Sequence, residues 1–149
     1  MIRKGALKAV LRVARLREQQ AAAQAQRERK RLHDALAAAS QLDQFAQEYR
    51  ADLAQLMEKG QGSVRFMQNT LDFALRLEAT ASQQREESEP QRLRSLDAGL
   101  IHRNAKLRLD GLEKIERVEK RRELIQLFGR EARETEDSVT SRLHRKGVR

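Results

Sequence analysis

Apolar residues recur along the first third of the chain in alternating steps of four and three. The walk runs Leu7, Leu11, Ala14, Glu18, Ala21, Ala25, Glu28, Leu32, Ala35, Ala39, Leu42, Ala46, Tyr49, Leu53 and Leu56, and only two of these fifteen positions are charged. A repeat of 3.5 residues winds two helices around each other with a left-handed twist. Helix one is therefore expected over about residues 3–59. At about 1.5 Å per residue it would be about 80 Å long, too long to bury its stripe against itself. The pattern stops at Gly60-Gln61-Gly62-Ser63. Two glycines this close end a helix, because glycine loses the most backbone entropy and readily takes φ > 0. Gly60 fits the position after a helix C-cap and Ser63 fits an N-cap. A second helix is expected over about 64–137, with a break near Pro90 and a frayed tail over 138–149.

The expected fold is all-α, a long antiparallel two-helix coiled-coil hairpin forming one domain over 1–149. With the turn at residue 61, facing residues have numbers summing to about 122. Tyr49 then meets Phe73, Phe45 meets Leu77, Glu28 meets Arg94, and Glu18 lies near Arg103. Four of the five aromatic residues, Phe45, Tyr49, Phe66 and Phe73, lie close to the turn. Phe45 flanks the seam and Phe66 sits in the first turn of helix two, so both are expected to be partly exposed. The second seam is less regular. It begins at Phe73, Leu77, Thr80 and Gln84 and turns polar towards Pro90, where the helix kinks or a new one starts at Ser88 or Glu89. It resumes at Leu93, Leu96 and Leu100, and shifts phase through Ile101, Ala105, Leu112, Ile115 and Val118. Leu124, Ile125 and Phe128 are its last strong apolar positions. Helix two is expected to outrun helix one beyond about residue 117.

Composition supports the coiled coil. Charged residues make up 36% of the 149 and aromatics 3%, with one proline and no tryptophan, too few large apolar side chains for a compact core. With no cysteine, disulfides and thiolate metal sites are excluded, which fits a reducing compartment. No apolar run approaches the roughly 20 residues of a membrane span. Residues 1–32 carry ten Lys/Arg and two Asp/Glu, residues 92–149 sixteen and ten, and residues 33–91 five and ten. A hairpin would bring the two basic segments together and leave the turn mildly acidic.

No enzymatic constellation stands out, and no cofactor is expected. His33, His102 and His144 are far apart in sequence. His33 and His102 could approach each other in a hairpin, but no carboxylates are spaced to complete a metal site. The basic segments raise a nucleic-acid-binding hairpin as a rival, and a scaffold that pairs with another chain as a second. Against nucleic acid, acids are interspersed with the bases after residue 92 and no aromatics interleave to stack bases. Against a parallel dimer, such pairing would bring Glu18 onto Glu18 and Glu28 onto Glu28. A monomer is therefore expected.

Leu42, Phe45, Tyr49, Arg50 and Leu53 in the spacing L-x-x-F-x-x-x-Y-R-x-x-L, then Met57 and Gly60, then Phe73, Leu77 and Gln83-Gln84, resemble the pattern of the FliJ family. FliJ proteins are the small coiled-coil components of the flagellar type III export apparatus. Val10-Leu11-Arg12-Val13 and the late Leu124-Ile125-x-Leu127-x-x-Arg130-Glu131-Ala132 look more like the injectisome counterpart, the YscO-type stalk. The resemblance implies a non-enzymatic central stalk, similar to the rotor shaft of rotary ATPases. Its terminal end would enter the export ATPase hexamer and its other region would contact the cytoplasmic domain of the export gate. It implies a cytoplasmic protein, peripheral to the inner membrane at the base of the apparatus, that also escorts export chaperones. The export-gate positions carried over are Leu42, Phe45 and Tyr49 on helix one, and Phe73, Leu77, Thr80 and Gln84 on helix two. Phe45 departs from a common tyrosine and Thr80 from a common small apolar residue. From charge, ATPase-ring binding is expected at Arg12, Arg15, Lys120, Arg121 and Arg122.

Overall fold

The computed structural model describes residues 3–147. They form three helices, α1 (Lys4–Glu58), α2 (Val64–Glu87) and α3 (Glu89–Gly147), and no strand is present among the described residues. The protein is an all-α helical hairpin. Its contacts divide it into two units, one built from residues 18–104 and one from residues 1–17 with 105–149.

α1 ends as the glycines require. Gly60 takes φ +62 and Gly62 φ +100. The Gln61 amide bonds the Leu56 carbonyl at 3.0 Å and the Gly60 amide bonds that of Met57 at 3.2 Å, the paired closure of a Schellman motif with Gly60 as the left-handed residue. Ser63 is extended at φ −83, ψ 154, and its hydroxyl accepts from the Phe66 amide at 3.1 Å, which caps α2. Both assignments made from the sequence hold.

The α1 seam also holds. Fourteen of its fifteen positions are buried or half-buried, and Tyr49 is the exception. The facing seam differs from expectation. On α2 and α3 of the larger unit it runs Met67, Thr70, Ala74, Leu77, Ala81, Gln84, Ser88, Gln91, Ser95, Ala98 and His102, in unbroken steps of three and four. Phe73, Thr80, Leu93, Leu96 and Leu100 are exposed instead, and there is no phase shift at Ile101. The reason lies in side-chain size. Ala25, Ala39 and Ala46 of α1 are buried to 1% exposure or less, and so are Ala74 and Ala81 of α2. Small seam residues let two helices approach closely, and on α3 of this unit the inner positions are taken by small or polar side chains while Leu93, Leu96 and Leu100 stay outside.

Pro90 leaves this seam intact. α3 starts at Glu89, as a proline near a first turn favours, and Ser88 alone separates it from α2. Ser88 stays in the helical region at φ −80, ψ −11, and its hydroxyl donates to the Gln84 carbonyl at 2.6 Å. Arg92 hydrogen-bonds Glu89 in the first turn of α3, which holds the Glu89 carboxyl below its ordinary pKa.

In the second unit, Leu7, Leu11 and Ala14 are buried while Ala105, Leu109 and Leu112 are half-buried. Ion pairs Arg15–Glu113 at 3.8 Å and Lys4–Glu123 at 3.3 Å flank them. The paired region thus reaches Glu119 to Glu123 rather than ending near 117. α3 continues as a helix to Gly147, past the expected limit of 137, so residues 138–147 are helical rather than frayed. Arg145 and Lys146 lie in the last turn of α3, where cations suit the helix dipole. The expected fraying of residues 148 and 149 lies outside the described residues.

The turn geometry has a direct test. Gly60→Ala and Gly62→Ala should each destabilise the protein by about 1–2 kcal/mol, the cost of a left-handed non-glycine residue. Gly111 lies inside α3, and an alanine methyl there would meet nothing within 4 Å, so Gly111→Ala should stabilise by up to about 1 kcal/mol. Urea titrations of helicity compare the three. Equal effects would contradict the turn assignment.

Candidate functional site

Close to the turn, within the larger unit, the aromatic residues outline a groove. Tyr49 and Phe73 pack edge to face, with ring centroids 5.1 Å apart and planes at 89°. This is the geometry that the aromatic quadrupole favours. Phe45 and Leu77 complete the apolar wall, and Glu48 and Asp52 form an acidic rim around a hollow of about 390 Å³. Phe45, Tyr49 and Phe73 remain 42%, 40% and 44% exposed, so the groove offers aromatic surface to solvent. Phe66 is likewise exposed.

Ion pairs crossing from α1 to α2 hold the walls. Arg50 reaches both oxygens of Glu78, with Nε 2.8 Å from one and Nη2 2.9 Å from the other. Such a bidentate pair fixes orientation better than a single contact. Arg85 pairs with Asp43 in the same unit. Neither pair was legible in the sequence, because each couples residues outside the apolar seam.

The candidate gate residues therefore separate. The structure gathers Phe45, Tyr49, Phe73 and Leu77 at one groove. Leu42 is a half-buried seam residue outside its lining. Thr80 is exposed and donates its hydroxyl to the Arg76 carbonyl at 2.8 Å. Gln84 is a seam residue beside a separate hollow lined by Ser88 and Gln91, and its buried side-chain oxygen has no hydrogen-bond partner.

Two polar layers interrupt the alanine seam of this unit. Glu28, 6% exposed, meets Gln91, whose amide donates to the Glu28 carboxylate and, at 3.1 Å, to the Glu28 carbonyl. Gln24 donates to the same carboxylate at 2.9 Å. Glu18 pairs with His102 Nε2 at 3.0 Å. These contacts correct the expected Glu28–Arg94 and Glu18–Arg103 pairs. Gln91 and His102 occupy the seam itself, whereas Arg94 and Arg103 fall on exposed faces. His33 is exposed, and the structure does not bring it to His102 as envisaged. Among the described residues no group of three or more His, Asp or Glu side chains is placed to hold a metal.

The candidate ATPase-ring residues all belong to the other unit. That unit, residues 1–17 with 105–149, carries nineteen Lys/Arg and nine Asp/Glu, against twelve and thirteen in residues 18–104. Arg15 pairs with Glu113, Lys120 with Glu116 at 3.4 Å, and Arg122 with Glu119 at 3.5 Å. Arg12 and Arg121 have no ion-pair partner among the described residues. Sequence reasoning missed Arg17 and Arg108, which line a hollow of about 290 Å³ with Val10 and Val13.

Comparison with protein-family models, with curated proteins and with solved structures gives no match. No described helix is long and apolar enough to cross a membrane.

The polar layers make a prediction about stability. Gln91→Leu removes the donor from a buried carboxylate and should destabilise by about 1–3 kcal/mol. The double variant Glu28→Leu with Gln91→Leu should be more stable than either single variant, because an apolar layer needs no hydrogen bonds. Denaturation of the singles and the double closes the cycle, and additive effects would show that the two side chains do not depend on each other.

Proposed function

We propose that the chain is a non-enzymatic central stalk of a type III protein export apparatus, flagellar or injectisome. It couples the export ATPase hexamer to the cytoplasmic domain of the export gate. The observation that carries this reading is the groove of Phe45, Tyr49, Phe73 and Leu77, where aromatic side chains stay in contact with solvent. These four belong to the residues through which the sequence resembles FliJ proteins. Large apolar side chains held open beside a turn suit docking into a partner's apolar surface. Leu42, Thr80 and Gln84 take supporting places, in the seam or on the outer face of α2.

The segregation of charge supports the second contact. The basic unit, with Arg12, Arg15, Lys120, Arg121 and Arg122, suits a ring lined with carboxylates, which would steer it over the 8–10 Å or so that salt allows. The protein acts in the cytoplasm as a monomer, reaches the inner membrane through its partners only, and escorts export chaperones. A nucleic-acid-binding hairpin is the second reading, favoured by the excess of bases in that same unit.

Two sets of variants separate these roles. Phe45→Ala with Tyr49→Ala should weaken binding to the gate domain at least tenfold while leaving the protein helical. Losing the Tyr49–Phe73 pair removes about 0.5–1.5 kcal/mol beyond simple burial, so melting is measured on the same variants. Binding that falls only as the fold melts would make the aromatic groove structural. Reversing Arg12, Arg15, Lys120, Arg121 and Arg122 to glutamate should abolish binding to the ATPase ring and spare the gate. ATPase association that is insensitive to salt and to these reversals would refute an electrostatic contact. Duplex or single-stranded nucleic acid bound at physiological salt, and lost on reversal, would favour the rival.

A further inference from the structure

Two carboxylates beside the aromatic groove have no counter-charge within the chain. Glu48 and Asp52 stand one helical turn apart on α1 and line the hollow with Phe45, Tyr49, Phe73 and Leu77. Among the described residues neither makes an ion pair or a side-chain hydrogen bond. Like charges at this spacing repel each other, so the pair gives the helix nothing in return. The neighbouring bases are turned away. Arg50 lies two residues from each carboxylate, about 200° round the helix, and is held by Glu78. Arg85 is held by Asp43. Lys59 and Arg76 do not line the hollow, and no other base does. Residues 18–104 carry thirteen acids and twelve bases, so the imbalance belongs to the groove and not to the unit.

The apolar surface beside the rim suits the rest of a basic side chain. Phe45, Tyr49 and Phe73, three of the chain's five aromatic residues, are exposed here. Ala46 and Ala74, their neighbours in sequence, are completely buried, so the rings stand on closely packed backbone. An aromatic ring attracts a cation over its face and covers the aliphatic stem that carries it. A guanidinium stacks on such a ring and can donate two parallel hydrogen bonds to a carboxylate, whereas an ammonium is more strongly hydrated. Nucleic acid, an anionic bilayer and an acidic helix all bring the wrong charge to this rim.

We infer that the groove receives a segment of a partner protein in which an arginine stands beside an apolar anchor. The anchor packs on Phe45 and Leu77, and the guanidinium lies at the rim of Glu48 and Asp52. This rests on the groove being a docking face and adds the chemistry of what docks there.

Tyr49 is the single tyrosine and the chain has no tryptophan, so intrinsic fluorescence reports on the groove alone. The probe is a short alanine-rich peptide, free of aromatics, with a leucine one helical turn before an arginine. Titrated into the full chain, it should change Tyr49 emission saturably. The same peptide with citrulline, which keeps the shape and loses the charge, should bind more weakly by about fivefold or more. Glu48→Gln with Asp52→Asn should bring the arginine peptide to the level of the citrulline peptide. The melting temperature of that variant should stay unchanged or rise, because neither carboxylate has a partner within the chain. Glu58→Gln, outside the hollow, should change nothing. No saturable response to the arginine peptide, or equal affinity for the arginine and citrulline peptides, would overturn the proposal. So would a wild-type dimer in light scattering that the carboxylate variant dissociates, since a second copy would then fill the groove. Calorimetry with the gate domain separates this inference from the stalk reading. A gate domain that binds wild type and the carboxylate variant equally tightly overturns the inference and leaves the stalk reading standing. A gate domain that does not bind, beside an arginine peptide that does, overturns the stalk reading and leaves the inference standing.

Discussion

The structure depends on close contact along an alanine-rich seam. Ala25, Ala39 and Ala46 on α1 and Ala74 and Ala81 on α2 are almost completely buried. Small side chains on both helices let the backbones approach until van der Waals contact is continuous. The consequence reaches every other face. Leu93, Leu96 and Leu100 of α3 lie outside the seam, and the aromatics near the turn stay half open. Of the polar side chains that enter the seam, Glu28 pairs with Gln91 and Glu18 with His102, while the Gln84 side-chain oxygen has no partner. A seam of alanine discriminates poorly between registers, since one alanine layer resembles the next. Polar layers at fixed positions are a known means of specifying register at some cost in stability.

This hierarchy explains which features were legible in the sequence. The α1 seam was readable because its apolar positions keep one repeat for fifteen steps. The turn was readable because Gly60 and Ser63 each have one conformational use, and both have it here. The Tyr49–Phe73 contact followed from the register and the size of the rings. The α3 seam was misread because leucine marks the buried face of most helices, and here Leu93, Leu96 and Leu100 point outwards while Ser95, Ala98 and His102 point in. The error was one of size rather than of period. The inner residues keep the 3.5-residue repeat through Pro90 but are too small or polar to register as hydrophobic. Of the candidate gate site, four large apolar residues were legible and meet at one groove. The acidic rim of Glu48 and Asp52 was not anticipated, because nothing in their spacing distinguishes them from other exposed carboxylates.

Each unit has its own character, and the proposed division of labour rests on that. Residues 18–104 are close to neutral and expose an aromatic groove with an acidic rim. Residues 1–17 with 105–149 hold the positive charge, half-bury Glu113, Glu116 and Glu119, and expose aliphatic side chains outwards. Among the described residues, neither unit gathers three or more His, Asp or Glu side chains to hold a metal. Both have what recognition by larger partners needs, namely exposed apolar anchors with a charged surround.

The central claim is that the aromatic groove is an interface with the export gate. The most direct measurement places a photo-crosslinking amino acid at Glu48, on the rim of the groove, in the protein expressed in its native cells, with the adducts identified by mass spectrometry. The account predicts the cytoplasmic domain of an export gate as the main adduct from Glu48, and its loss when Phe45 and Tyr49 are replaced by alanine. Adducts with nucleic acid, or with proteins unrelated to export, would contradict it.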